Sequence, residues 1–488
     1  MKQKGVFLLL FMAILYTSHA QIMFQRHYGG SGDDIAGDVQ QTTDGGYIIT
    51  GQTKSFGDIN GDVYLIKTNE YGDTLWTKKY GGAQFDRGTA IRQTIDGGFI
   101  IAGSTESFGA GQLDAYLIRI NSVGDTLWTK TFGGTLQDEA YDVIETSDGY
   151  ALVGYSMSYA TVFSSVYLIK TDLNGNLSWS KNYEKLEIND INEFKQTPDD
   201  GYFLAAMIRN QGSAQKSNIW LLKTDEFGDT TWTTEIANDT SSLIVSSVET
   251  TLDNGYVLAG SIEDPTGETD AMVIKTDNTG TQQWIKRYDR GEDERAACIR
   301  KTSDSNYIVS GIKDFSAKKL NSTFGISDQT MLKSDEKLVS SDILLMKINL
   351  NGDTLWTKTF GGSGNDWSRK VFQSIDNGFV ILGFTYSFSA DNEIYLIKTN
   401  TSGFASIHDF NEFSCFIYPN PCNGLVQIEL SQSGYLPLQY SILDLNGKVL
   451  STGTLNSACQ SISIPFKGLY VLNFKNSKIS FSKKIIVE

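Results

Sequence analysis

The stretch DTLWTKKYGG, residues 73–82, is copied with changes around Trp128, Trp179, Trp232, Trp284 and Trp356. Phe24 stands four residues before Tyr28 as Trp76 stands four before Tyr80, which makes Phe24 a seventh mark. The intervals between marks are 52, 52, 51, 53, 52 and 72 residues. Self-similarity at such a period denotes an array of supersecondary units that bury their apolar faces against one another, not one compact enzyme domain.

Each unit reads as four short strands, a to d. In the first unit they are residues 35–42, 47–53, 63–68 and 74–80. The a–b turn carries Asp in every unit (Asp44, Asp96, Asp148, Asp199, Asp253, Asp304, Asp376), followed closely by Gly in most. Asp bonds its own backbone and Gly accepts positive φ, as a tight hairpin requires. Strand b opens on an aromatic, such as Tyr47 or Phe99, and four residues later holds a small residue, Gly51 in the first unit and Ala206 in the fourth. A small residue inside a strand marks a close backbone approach or a bulky neighbour, and the recurring Trp is the expected neighbour. Strand c (VYLIK, AYLIR, IWLLK, AMVIK, ILLMK, IYLIK) is apolar on both faces, so both are expected to be buried. The c–d turn keeps a Gly three residues after Asn or Asp, as Gly72 after Asn69.

The array starts on a lone d strand, residues 24–28, and stops after a c strand, 394–399. The expectation is therefore an all-β, seven-bladed β-propeller closed by its N-terminal strand, which completes the last blade and removes an open edge. Strand a would line the central channel. The d–a and b–c loops would gather on one face, where specificity would reside.

The totals agree with such a chain. Its 488 residues hold 40% hydrophobic side chains, and 47 glycines against 6 prolines suit many strands joined by tight turns. Residues 1–20 have a basic start, an apolar run over 6–16 and a small-residue end, the form of a cleaved export signal too short to span a bilayer. The formal charge of −16 becomes −18 without Lys2 and Lys4; residues 411–488, with six lysines against four acids, leave −20 on 21–410. That surface repels nucleic acid and anionic lipid. Cys298, Cys415, Cys422 and Cys459 are too few and scattered for a disulfide framework, although a Cys415–Cys422 bridge is open. After signal removal only His27 and His408 remain, which argues against His-rich zinc sites and Ser-His-Asp catalysis.

Several side chains are candidates for chemistry. Asp34, Asp86, Asp138 and Asp366, with Glu294 in the same place, precede strand a at the expected channel mouth. Convergent carboxylates there suit glycoside cleavage or a cation, but their repetition fits a turn or strand cap better. Asp58, Asn60 and Asp62 imitate the start of a calcium loop, with Gly at the fourth place instead of the sixth and no Glu at the twelfth. Beyond that weak calcium signal no cofactor or metal is expected. The bases Lys67, Arg119, Lys170, Lys223, Lys275, Lys347 and Lys398 are expected to reach the Asp residues of their own face. Units 3 to 6 depart from the common pattern, and unit 6 carries about twenty extra residues over 317–340. The adjoining loops hold Asp289, Arg290, Glu292, Asp293, Glu263 and Asp264, which mark blades 5 and 6 as a binding surface or as solvated drift.

After Gly403 the repeat stops, residues 404–413 read as a linker, and 414–488 read as a small β-sandwich with strands at 425–430, 439–444, 461–465 and 469–474. Within it FIYPNPCNGLVQIEL, YSILDLNGKVL, GLYVLNF and KKIIVE follow in order. This combination resembles the C-terminal sorting domain of type IX secretion cargo in the Bacteroidota. The resemblance rests on Tyr418, Pro419, Asn420 and Pro421, on Asp444, Gly447 and Lys448, on Gly468 and Tyr470, and on Lys483 and Lys484. It implies export through the periplasm and across the outer membrane by the type IX machinery, to the medium or the cell surface. The repeats are similar to those of secreted Bacteroidota repeat proteins regarded as β-propellers. The expected function is recognition of an extracellular glycan or protein, without nucleic acid and without a transmembrane segment. The alternatives are a carbohydrate-active enzyme of glycoside hydrolase type using the channel-mouth carboxylates, and a purely structural surface protein.

Overall fold

The computed structural model describes residues 21–488 apart from 162, 186, 210–215, 290, 315–339, 390, 406–414, 419–423, 431–435, 445–446, 458, 465–466, 477–479 and 488. The expected signal 1–20, Arg290, nearly all of 317–340, most of the expected linker 404–413, Pro419, Asn420, Pro421 and Cys422 lie outside the described residues. The chain divides into two compact units, Met1–Ala405 and Ser406–Glu488.

The first unit is all-β and propeller-like, a succession of four-stranded antiparallel sheets with strands in the order a-b-c-d. In the first sheet these are Asp34–Gln41, Tyr47–Thr53, Asp62–Thr68 and Thr74–Tyr80. Strands b and c are buried along their whole length, as their two-faced apolar pattern requires. Strand d is the exposed edge and alternates polar and half-buried residues. In the last sheet the order is Asp366–Gln373, Phe379–Thr385, Glu393–Lys398 and then the N-terminal strand Phe24–Tyr28, paired from Phe24↔Lys398 to Tyr28↔Ile394.

The cores lie between sheets. Ile48, Val63 and Leu65 of unit 1 pack on Ile91, Phe99 and Ile101 of unit 2. Units 7 and 1 share a core too, with Val380, Leu382, Leu396 and the Phe24 of the strand added to unit 7 against Val39 and Ile49. The d strand fastens each such junction. A Cβ on Gly124 of the next c–d turn would meet the Trp76 ring at 3.1 Å, and Tyr80 Oη donates to the Gly124 carbonyl at 2.8 Å. Trp128, Trp179, Trp232, Trp284 and Trp356 cover Gly175, Gly228, Gly280, Gly352 and Gly403 in the same way.

That arrangement corrects one expectation: the Trp does not lie over the small residue of strand b. A Cβ on Gly51 would meet the Ile35 carbonyl oxygen at 2.1 Å, and one on Gly103 the Arg87 oxygen at 1.9 Å. The cause is a one-residue bulge in strand a, between Ala36 and Asp38 and between Gly88 and Ala90, which pushes backbone against strand b.

The base at the end of strand c reaches the a–b turn in all seven units, for example Lys67–Asp44 at 2.9 Å and Lys398–Asp376 at 2.8 Å. These bases are not the exposed partners their positions suggest. Lys67, Lys170, Lys223, Lys275 and Lys398 are buried, and each also donates to the next Thr carbonyl. Against the effect of burial, the Thr251 hydroxyl and the Lys275 ammonium hold Asp253 down at about 2.

The second unit has two sheets about one core. Cys415–Tyr418, Leu425–Leu430 and Cys459–Ser463 form one; Val449–Leu455, Leu438–Leu443, Gly468–Lys475 and Ser480–Val487 form the other. Val426, Ile428, Ile442, Leu472, Phe474 and Ile485 fill the core. The strands at 415–418, 449–455 and 480–487 go beyond the four expected. Asp444 closes its hairpin by accepting from Lys448 N at 2.9 Å, with Gly447 at φ 79°. Tyr470 is buried beside Gly468 in the third strand of the larger sheet, and Lys483 and Lys484 sit in its last.

Candidate functional site

The bulges of strand a build a cavity. The residues at or beside them, Gly37, Thr89, Tyr141, Asn192, Ser246, Ala297 and Arg369, come from units 1 to 7 in turn, and all line one space of about 70 Å³. A bulge re-aims a side chain out of the strand alternation, and here it does so at the same level in every unit. Ile35, Ala36, Gln52, Arg87, Gly88 and Lys370 complete the wall.

Next to that cavity lies a network of charges, the carboxylates Asp38, Asp142 and Glu193 buried and most of their basic partners half-buried. Arg92 pairs with Asp38 and, at 2.7 Å, with Asp142. Arg300 embraces Glu193 with bonds of 2.7 and 3.0 Å, Lys370 contacts the same carboxylate, and Ser247 Oγ donates to it at 2.8 Å. Lys195 and Lys301 face Glu249 at 3.8 and 3.9 Å. Every unit contributes. Burial works against the Glu193 charge, yet Arg300, Lys370 and Lys195 hold its carboxyl well below the usual range.

The repeated carboxylates lie in the loop face and are absent from the cavity wall. Asp34 accepts from Gly30 N at 2.9 Å and Ser55 Oγ at 2.5 Å. Asp86 does so from Gly82 and Ser107 at 2.8 and 2.7 Å, Asp138 from Gly134 and Ser158 at 2.8 and 2.5 Å, and Asp366 from Gly362 and Ser387 at 2.9 and 2.6 Å. All four are 0% exposed, and Glu294 is buried in the same place. The geometry is that of a clamp tying the d–a loop to the b–c loop.

The b–c loops that supply those serines also present a row of rings. Phe56, Phe108, Tyr159 and Phe388 follow the clamp serines directly and are 44%, 46%, 46% and 47% exposed. Each is backed by a strand c tyrosine (Tyr64, Tyr116, Tyr167, Tyr395) at centroid distances of 5.6, 5.8, 5.6 and 5.5 Å. They belong to the consecutive units 7, 1, 2 and 3. Sequence reasoning passed over them, although the recurring Ser-Phe or Ser-Tyr after strand b was the available signal.

The acidic loops of blades 5 and 6 come together with bases among them. Arg287 Nε contacts the buried Asp270, and its Nη2 lies 3.9 Å from Asp264. Glu268, Asp270 and Asp289 bring one carboxylate oxygen each within 4.8 Å, a set able to hold a cation, with Arg287 already serving Asp270. Asp289 accepts from Gly291 N at 2.8 Å, Asp293 from Thr269 N at 3.0 Å, and Asp264 from Thr266 N at 2.8 Å. Lys313 pairs with Glu292 at 3.2 Å, and burial raises the Glu263 carboxyl. Asp58, Asn60 and Asp62 make an Asx-type turn: Asp58 Oδ1 accepts from Asn60 N at 3.0 Å, and Asp62 Oδ2 from Asp58 N at 3.1 Å.

Asp314, at the end of unit 6 strand b, is pushed up to about 6 by burial, then by Asp293 and Glu292, against the pull of Arg295. A folded pKa above the unfolded value of about 3.9 means that ionisation disfavours the fold. The penalty is absent below about pH 4, grows between pH 4 and 6, and is complete above pH 6. Asp314→Asn is therefore expected to raise stability at pH 7.5 by about 1–2 kcal/mol and to leave it unchanged at pH 4, as read by urea denaturation at the two pH values.

Residues 416–488 match the secretion system C-terminal sorting domain. The chain thus carries the sorting domain of type IX secretion, which supports export to the surface or the medium. A stretch of 132 residues is 29% identical to the Regulatory protein FlaEY of Caulobacter vibrioides, taking in 24% of this chain and 13% of that protein, so the chain spans far less than two thirds of that relative. A protein of unknown function from Dyadobacter fermentans is similar over 78% of this chain and 98% of its own, with 12% identity and a TM-score of 0.43. YCF48 bound to D1 peptide is similar over 79% of this chain and 99% of its own, with 8% identity and a TM-score of 0.41. Such distant likeness carries no activity across.

Proposed function

We propose that the chain is an exported recognition protein. Residues 21–403 make a closed seven-bladed β-propeller that binds an extracellular glycan on its loop-bearing face. Residues 414–488 direct it, after loss of 1–20, through the periplasm to the outer surface or the medium of a Bacteroidota cell. The observation that carries this reading is the row Phe388, Phe56, Phe108 and Tyr159. A pyranose ring has an apolar C–H face that a half-exposed aromatic ring can cover while the sugar hydroxyls stay in water. Because each ring is backed by a tyrosine and its loop is tied down by a carboxylate clamp, little freedom is lost on binding. Blades 5 and 6 would then form the acidic rim of this face and not its centre.

Affinity electrophoresis of the mature chain in gels cast with a panel of soluble polysaccharides tests the reading. At least one glycan is expected to retard the protein, with retardation lost in the Phe56→Ala, Phe108→Ala double variant while its melting temperature stays within a few degrees. Equal retardation of the double variant would sink the proposal.

A further inference from the structure

We propose that the cavity at the centre of the loop face receives a carboxylate of the bound glycan, so that the preferred ligand is a mostly neutral chain carrying an isolated uronate residue. This rests on the glycan-binding reading above.

The first support is the composition of the wall. The chain has 57 acidic residues against 41 Lys and Arg, yet the wall holds Arg87, Arg369 and Lys370 and no Asp or Glu. The carboxylates that balance these bases are set outside the wall. Glu139, behind Arg87, also accepts from Ser104 Oγ at 2.9 Å and from Tyr155 Oη at 3.0 Å, and Glu193 takes Lys370. Arg87, Arg369, Lys370 and Asn192 thus line the cavity, while the acids paired with Arg87 and Lys370 stand outside it.

The second support is the hydrogen-bond balance. Arg87 is 8% exposed and its Nε–H finds no acceptor; the Asn192 Nδ2 amide likewise finds none. Buried polar atoms are nearly always satisfied, so an orphan invites an explanation. Both orphans here are donors, which selects a guest rich in acceptors. Carboxylate oxygens suit a guanidinium better than neutral hydroxyls, since charge-assisted bonds are shorter and stronger. Arg87 is held ready between the rings of Phe85 and Tyr141, 5.9 and 5.8 Å from their centroids.

Charge sets the rest. The carboxylate is the part of the sugar placed in the cavity, with the pyranose toward the aromatic row. Residues 21–410 carry −20, so a dense polyanion is repelled at long range, whereas a single carboxylate inside the cavity meets donors well within the Debye length of about 8 Å. Those opposing terms select an isolated acidic sugar over a polyuronate.

Calorimetric titration of the full mature chain with cellobiose and with its uronate, cellobiouronic acid, tests this. The uronate is expected to bind at least 10-fold more tightly than cellobiose. Arg369→Gln, and separately the charge-balanced pair Arg87→Gln with Glu139→Gln, are expected to bring the two within about 2-fold. Equal binding of the two sugars by the wild type, or a preference that survives both variants, overturns the inference. If both sugars bind equally and Phe56→Ala with Phe108→Ala abolishes both, the cavity inference falls and the glycan reading stands. If neither sugar binds while free acetate does, the cavity takes anions from another source and this inference falls, while the glycan reading is decided by the polysaccharide gels.

Discussion

Replacing Glu193 by Ala is expected to destabilise the repeat unit by about 3–5 kcal/mol, the cost of breaking a buried ion pair from one side. The carboxylate is 2% exposed and is the meeting point of Arg300, Lys370 and Ser247, which come from units 6, 7 and 5. Without it two cations lie buried with their nearest counter-charge removed, and the remaining carboxylates Asp38 and Asp142 are already engaged by Arg92. Urea denaturation of the mature chain followed by Trp fluorescence reads the loss. A change under about 1 kcal/mol would mean that the network is solvated in solution. Glu193→Leu combined with Arg300→Met and Lys370→Met is expected to recover most of the stability, because desolvating the charges offsets much of what their attraction provides. The pH dependence has a definite sign. Glu193 is held below its unfolded value, so its contribution is complete above about pH 4.3 and is lost only as pH falls through the depressed folded value.

Phe24→Ala is expected to cost about 3–4 kcal/mol, the range for deleting a buried aromatic ring. Phe24 is 6% exposed, meets Tyr47 edge-on at 5.9 Å and covers Gly72, while Tyr28 Oη donates to the Gly72 carbonyl at 2.7 Å. It thus repeats between units 7 and 1 what Trp76 and Tyr80 do between units 1 and 2. Under the proposed closure the damage should be cooperative, with faster proteolysis of unit 7 as well as unit 1, since the lost strand bares the edge of Glu393–Lys398. Phe24→Trp is expected to be tolerated within about 1 kcal/mol, because Trp fills the equivalent place over the c–d turn glycine at the other six marks. Equal melting of wild type and Phe24→Ala would show that the strand adds nothing to the junction.

Much of this architecture was legible because it is periodic and local. The Asp-Gly turns, the two-faced strand c and the Trp interval all act through neighbours a few residues away or exactly one unit on. The Lys67 to Asp44 pairing was legible for the same reason, though its burial was not. The carboxylates at 34, 86, 138 and 366 showed their repetition in the sequence, and the clamp they form gives that repetition its cause. The expected Trp partner of Gly51 fails because the bulge in strand a fills that space with backbone. Ala36 and Val39 are both buried and stand three apart, a phase slip that signals the bulge.

By itself the sequence determined the repeat, the strand order within each unit, the tight-turn face and the sorting domain, since each is written in residues close together along the chain. Only the tertiary structure decided what fills the centre. Lys370 and Glu193 are 177 residues apart and meet because the bulged strands of the units converge on one cavity. No period within the chain encodes that contact. Which charges cancel there, and which bases are left lining the cavity, depends on bulge geometry summed over all the units.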